Sequence, residues 1–439
     1  MAVSADVARL AAVAPEYVKQ MSAYQRRNFL FLMLDGATFA FAISLLSEAT
    51  IIPAFVQSLS NNAVLVGLVA ATFAVGRYLP QLVGAHLVRG RKKRKPLLMA
   101  IVIAERVGIL AIAITAQLIG LVPHGVVLVL FFIVFCGYAI TTGLIGPVYG
   151  DFVAKALTKG RGWYYGFVQL IGGVLGFSAA LVGEHFLRTQ DFPTGIQWCF
   201  WLCFALSFVS IFFIAGLKEV DYPHVEPRPP FIETLREIPG LLSRDESYRR
   251  FLLARAFLAF STLGIGFVVV DGIDRVLKTS DAALLAAVFI LSQALLGFLL
   301  GLVGNYFGWK IVIVLGGVLI AGSMVGAVFA DDLVAYIPIL AALGGANAVT
   351  IIGDQNMSIE LAPAAKTSLY LGTTSTLLAP FFIAGPLIAG ALAVPFGYSF
   401  VFISAAVLAV VGILLALRVR EPRSAAAQES AIGQPGALP

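Results

Sequence analysis

Apolar stretches of about 20 residues, the length that crosses roughly 30 Å of hydrocarbon at 1.5 Å per residue, follow one another along nearly the whole chain. Long continuous runs of this kind read as membrane-spanning helices, because a helix satisfies its own backbone where no water can. Twelve such windows are read: 29–56, 63–86, 97–119, 123–150, 163–187 and 196–217, then 251–273, 282–305, 309–330, 333–359, 367–393 and 396–418. Hydrophobic residues make up 59% of the chain and charged residues only 12%, whereas a soluble domain is about a quarter charged. The expected fold class is therefore an all-α integral membrane protein of twelve transmembrane helices in two six-helix bundles.

Basic residues are retained on the cytoplasmic side during insertion, and their placement here is one-sided. With the N-terminus inside, the inner segments hold Lys19, Arg26, Arg27, the run Arg89 to Lys95, Lys155, Lys159, Arg161, Lys218, Arg228, Arg236, Arg244, Arg249, Arg250, Lys310, Lys366, Arg418, Arg420 and Arg423. The opposite loops hold only Arg188, Arg275 and Lys278. This asymmetry predicts both termini in the cytoplasm of a cell (inner) membrane protein. The sequence pI of about 9.2 then reflects topology and contact with membrane lipids, with no nucleic-acid partner implied.

The expected organisation is a cytoplasmic N-terminal segment over 1–27, a first bundle over 28–218, a linker over 219–249, a second bundle over 250–420 and a disordered tail over 421–439. The linker carries Pro223, Pro227, Pro229 and Pro230, then FIETLREIPGLL, which reads as a short amphipathic helix at the interface. Cys136, Cys199 and Cys203 all fall inside predicted spans, where small packing residues are expected. Four scattered histidines without HExxH or CxxC spacing point to no metal site, and there is no Walker-type phosphate loop. No cofactor and no enzymatic nucleophile set is expected.

Two glycine-and-basic loops occupy equivalent turns of the two halves. The second, GLVGNYFGWK, places Gly301, Asn305, Gly308 and Lys310 at the first, fifth, eighth and tenth positions. The first, GAHLVRGRKK, keeps Gly84 and Arg89, has Val88 where an acid would stand, and continues with Gly90, Arg91 and Lys92. Six bases lie in the seven positions 89–95. This pair of loops in a twelve-span chain resembles the major facilitator superfamily, whose repeated loop reads Gly-x-x-x-Asp-Arg-x-Gly-Arg-Arg. The resemblance covers about 28–420 and implies two pseudosymmetric bundles that alternate access to a central site. Glycine lets backbones approach, and the bases can meet helix C-terminal carbonyls, carboxylates or lipid phosphates. Both loops are thus candidate conformational latches, with a topology anchor as the competing reading of the first.

Charges within spans usually face a partner or a wet cavity. By depth, Asp35, Arg77, Glu105 and Arg106 are expected to form one cluster in the first half, and Arg255 and Asp354 a pair in the second. Either set can equally be structural. Glu48, followed by Pro53, is a coupling or substrate candidate that the resemblance favours, with helix-end solvation as the competing reading. Tyr138, Gln169, Gln293, Asn347, Gln355 and Asn356 are candidates for lining a pathway or for interhelical hydrogen bonds. The functional expectation is a monomeric secondary transporter of a small-molecule substrate, coupled to protons. The alternative is a non-transporting protein of the same fold that acts in assembly of a membrane complex or in pigment or lipid handling.

Overall fold

The computed structural model describes residues 7, 10–11, 14–47, 50–60, 62–223, 227–278, 281–363 and 365–422. Glu48, His224 and the tail from 423 lie outside the described residues. The elements among the described residues are helices: α1 Pro15–Ser44, α2 Ile51–Ser60, α3 Ala63–Tyr78, α4 Gln81–Val88, α5 Lys95–Gln117, α6 His124–Ala156, α7 Arg161–Thr189 and α8 Thr194–Gly216. There follow α9 Phe231–Arg244, α10 Glu246–Ser261, α11 Ile265–Arg275, α12 Asp281–Phe307, α13 Trp309–Phe329, α14 Leu333–Leu361 and α15 Thr367–Leu417.

Twelve crossings come out of these elements once the breaks are read. The first span, expected as one helix over 29–56, begins at Pro15 and is interrupted between α1 and α2. Pro53 sits in the first turn of α2, where its missing N–H costs nothing, and further upstream its ring would collide with a helical carbonyl. The second span is divided into α3 and α4 at Leu79 and Pro80, for the same reason. The seventh passes through a 3-10 turn at Thr262–Gly264 between α10 and α11. Ser261 and Thr262 there donate their hydroxyls to the carbonyls of Leu258 and Ala259, drawing hydrogen bonding away from the helical ladder. The last two spans run together as α15 but part at Gly397, whose φ of 79° no side-chain-bearing residue adopts cheaply.

Two compact units form, one from 20–157 with 171–228, the other from 1–19, 158–170 and 229–439. In the first, α6 is the central helix and packs against α2, α3, α4 and α5. Its core is a ladder of aromatic rings: Phe55 on Phe131 at 5.1 Å, Phe131 on Phe135 at 5.3 Å, and Phe135 on Tyr138 at 6.1 Å. Each offset ring pair adds about 0.5–1.5 kcal/mol beyond area burial. Tyr138 is thus a fully packed member of this ladder. In the second unit α14 packs on α12 and α13, while α15 packs on α10 and α13.

Glycine decides where helices cross. A Cβ on Gly143 would collide with the Gly76 and Arg77 carbonyls, and one on Gly76 with Ala139, so α3 and α6 touch backbone to backbone. Gly143→Val is expected to destabilise the first unit by about 2–3 kcal/mol, the cost of overpacking a rigid contact. Gly125→Val, at a position with nothing within 4 Å, serves as the control. Thermal denaturation in detergent separates the two, and equal melting temperatures would refute the crossing as a constraint.

Candidate functional site

Four helices of the first unit bring polar groups to one buried locus. Asp35 lies on α1, Glu105 and Arg106 on α5, Thr142 and Tyr149 on α6, and Ser207 and Ser210 on α8; Asp35, Glu105 and Arg106 are 5%, 1% and 4% exposed. Arg106 pairs with Glu105, donates from Nε to the Ser207 carbonyl at 3.2 Å and from its terminal nitrogen to Ser210 Oγ at 2.8 Å. Its guanidinium also covers the Phe39 ring at 4.4 Å, one turn along α1 from Asp35. Thr142 donates to the second Glu105 oxygen at 2.9 Å, and the Tyr149 hydroxyl to Asp35 Oδ2 at 3.2 Å. Asp35 Oδ1 is buried with no hydrogen-bond partner among the described residues.

Arg77, expected in this cluster, stands outside it: its side chain is exposed and lies 5.9 Å over the Phe73 ring. Gly76 occupies the face of α3 that meets α6, and the next residue on a helix points about 100° away.

The second unit pairs Arg255 on α10 with Asp354 on α14 through two guanidinium nitrogens, one of them 2.7 Å from Oδ2. Asn347 Nδ2 donates to Gln293 Oε1 at 2.9 Å, joining α14 to α12. Gln169 packs beside Gly297, one turn from Gln293, and its Nε2 is buried without a hydrogen-bond partner among the described residues. Asn356 instead bonds its own helix, donating to the Ile352 carbonyl at 2.8 Å, while Gln355 is half-buried.

The two loops do equivalent work from different positions. Lys95, at the start of α5, donates to the Ala215 and Leu217 carbonyls at 2.6 and 2.8 Å, closing the C-terminus of α8. Lys310, at the start of α13, donates to the Leu417 carbonyl at 2.8 Å, closing the C-terminus of α15. Acids come from the segment after each of those last helices. Glu219 accepts from the Arg94 and Lys95 N–H groups at 2.7 and 2.9 Å, and the Glu421 carboxylate lies against Gly308, the N-cap of α13. A carboxylate at a helix N-terminus meets orphan donors and the positive end of the dipole.

Around the first loop, Asp151 on α6 binds both Arg94, at 3.2 Å, and Lys155 one turn on, and both cations lie over the Tyr222 ring, at 4.3 and 4.9 Å. The Tyr222 N–H donates to the Lys92 carbonyl at 2.9 Å. Gly90, φ 76°, turns the loop beside Arg228, which donates to His86 Nε2 at 2.9 Å. The Arg91 side chain donates to the Leu87 carbonyl, and the backbone N–H of Arg89 donates to the His86 carbonyl. Gly84 lets α4 touch the Leu144 carbonyl of α6. In the second loop Gly301 abuts Gly162 and Gly166, and a Cβ on Gly162 would meet Asn305. That face of α12 is a helix contact.

Sequence reasoning missed Asp151, Lys155, Glu219 and Glu421. The Asp151 and Lys155 spacing of four on a helix was a readable ion-pair signal. It also missed a hydroxyl network in which Tyr248 bonds the Tyr370 carbonyl and Thr374, both at 2.9 Å, and Tyr370 bonds Asp245 at 2.7 Å.

Burial pushes the Glu219 carboxyl above its ordinary range, against the pull of its two backbone donors and Arg94. A raised folded value means the folded chain holds this proton more tightly than the unfolded one, so acidification does not cost stability here. Glu219→Ala, which strips both donors, should cost about 1–2 kcal/mol, and Glu219→Gln, which imitates the protonated acid, less than half of that. Denaturation of the two variants side by side checks the order. Breaking the buried pair by Asp354→Leu should cost about 3–5 kcal/mol, and the double change Arg255→Leu with Asp354→Leu distinctly less, as a double-mutant cycle would read.

Residues 252–438 match the family model described as Major Facilitator Superfamily. No curated protein sequence matches the chain. Among solved structures, the human organic anion transporter MFSD10 (TETRAN) superposes with a TM-score of 0.69 at 14% identity, over 89% of this chain and 99% of that one. The proton:xylose symporter XylE, bound to 6-bromo-6-deoxy-D-glucose, gives 0.68 at 16% identity, over 91% and 97%. The E. coli fucose:proton symporter FucP gives 0.63 at 13% identity, over 90% and 98%. The chain has the major facilitator fold along its length, and its second half carries the sequence pattern of the Major Facilitator Superfamily.

Proposed function

We propose that this protein is a secondary transporter that moves a small solute by alternating access, coupled to protons through Asp35. The observation that carries the reading is a charge count. Asp35 and Glu105 contribute two negative charges and Arg106 one positive, so the buried cluster is left at −1. An uncompensated charge away from water costs several kcal/mol. One proton on Asp35, whose Oδ1 has no hydrogen-bond partner among the described residues, would bring the cluster to neutrality. Enclosure then favours the protonated form and exposure to water releases it, which is the difference between states that coupling requires. In the second unit, the Gln293–Asn347 pair and Gln169 supply uncharged donors and acceptors suited to a polar solute.

The solved neighbours, two proton symporters of sugars and an organic anion transporter, define a first panel of substrates. The reading places the protein in the cell membrane as a monomer with both termini inside. The divergence of the first loop is what favours the alternative, a fold retained without a transport cycle. Because Glu219 and Asp151 meet that loop's bases, its divergence does not argue for a lost cycle.

A substrate found by thermal-shift screening of sugars and organic anions would be followed into proteoliposomes under an imposed pH gradient. Asp35→Asn makes the cluster permanently neutral, so the variant should fold at least as stably as the parent and still exchange solute, yet lose uphill accumulation. Full gradient-driven accumulation by Asp35→Asn would overturn the assignment.

A further inference from the structure

The chain ahead of the first span carries apolar residues at a spacing that crossing a membrane does not require. Val7, Leu10, Ala14, Tyr17 and Met21 alternate steps of three and four, the seam of a helix that packs along one line. All five are covered by the chain itself, the most open of them 8% exposed, while Glu16, Lys19, Gln20 and Ala23 face outward. The Ala14 N–H donates to the Leu10 carbonyl at 2.8 Å and the Val18 N–H to the Ala14 carbonyl at 3.3 Å. Helical turns therefore stand on both sides of Pro15, the first residue of α1.

What covers the seam follows from the division of the chain. Val7, Leu10, Ala14 and Tyr17 belong to the compact unit that contains 229–439, and α1 passes into the other unit between Lys19 and Gln20. So short a helical stretch is not stable alone in water, and packing on the second unit is what holds it. From Glu16 to Asp35 the sequence contains no glycine and no proline, so this part of α1 is a stiff rod. The rod joins Tyr17 at its docked end to Asp35, about 27 Å further on at 1.5 Å per residue.

We propose that the segment from Val7 to Lys19 is a clasp, docked through Val7, Leu10, Ala14 and Tyr17 on the second unit, that restrains the first span until it lets go. A stiff rod with one end in each unit cannot follow both when they move against each other. With no joint between Tyr17 and Asp35, the apolar seam is the element that opens. What the clasp restrains rests on the alternating-access reading; the docking stands without it.

Hydrogen exchange of the full chain in lipid nanodiscs, one copy per disc, reads the docking. The peptide 7–17 is expected to exchange about 100-fold more slowly than an unstructured chain. Leu10→Asp with Tyr17→Asp should abolish most of that protection and speed exchange in peptides from 158–170 or 229–439. Ala23→Asp, the same charge on the outward side, should change neither, and the milder pair Leu10→Ala with Tyr17→Ala should act in the same direction if the aspartates prevent folding. Exchange of 7–17 at the unstructured rate in the parent would overturn the docking, and so would protection that appears only when a disc holds two copies. The restraint is read by spin labels at Tyr24→Cys on α1 and Tyr306→Cys on α12, both exposed, in a Cys136→Ala background; Cys199 and Cys203 are buried. Freeing the clasp should raise the population of a second distance about threefold or more. A freed clasp with an unchanged distance distribution would overturn the restraint. Neither readout involves substrate or protons, so failure here is distinct from failure of the Asp35 assignment.

Discussion

Hydrocarbon solvates no charge, so every ionised group inside this protein depends on what the chain itself places beside it. Arg94 and Lys155 both pair with Asp151, and Glu219 accepts from the backbone N–H of Arg94 beside them. Arg255 is matched by Asp354, and Arg275 by Asp271 with the Tyr336 hydroxyl as a further acceptor. In these groups opposite charges stand side by side, some across helices and some within one helix. The Asp35 locus is built from the same residue types yet is one cation short. On the reading proposed for Asp35, that imbalance, more than burial or depth, separates a group that can work from groups that hold.

The pseudosymmetry of the halves is likewise kept by interactions rather than by position within the loop. A lysine at the start of α5 closes α8, and one at the start of α13 closes α15. An acid follows each closed helix and returns to the N-terminus of the helix that closed it. Both devices answer one requirement, since a helix end near lipid leaves four donors or four acceptors without partners. Any side chain of the right charge within reach will satisfy them, so the residue can move while the contact persists.

This explains which parts were legible in the sequence. Span number and type follow from apolar windows, because hydrocarbon thickness fixes helix length, and the windows at 97–119 and 309–330 fall within two residues of α5 and α13. Arg255 and Asp354 were legible as partners because two buried opposite charges at similar depth have little alternative. The interruptions of the first, second and seventh spans were not read, since a hydropathy window averages over Pro80 or Thr262. Arg77 was misplaced because depth was counted while rotation about the helix was not, and only the Gly76 crossing sets that rotation. Glu219 and its donors lie 124 and 125 positions apart, a distance over which no spacing rule operates.

Two of the departures from the family's loop pattern share one physical cause. Val88 and Asn305 stand where an acid would be expected, and they are 2% and 4% exposed. Asn305 belongs to a helix face packed onto Gly162, and Val88 to the end of α4 that lies on α6. A carboxylate at either site would lose its water in a contact too close to admit a cation of comparable size, at a cost of several kcal/mol. The acids are carried instead on the segments after α8 and α15, where Glu219 takes two backbone N–H groups and Glu421 lies half-buried against Gly308. Tight helix crossing and an acid within the loop are competing demands on the same few residues, and in this chain the crossing has taken the position while the acid has moved to where it can still reach the helix end.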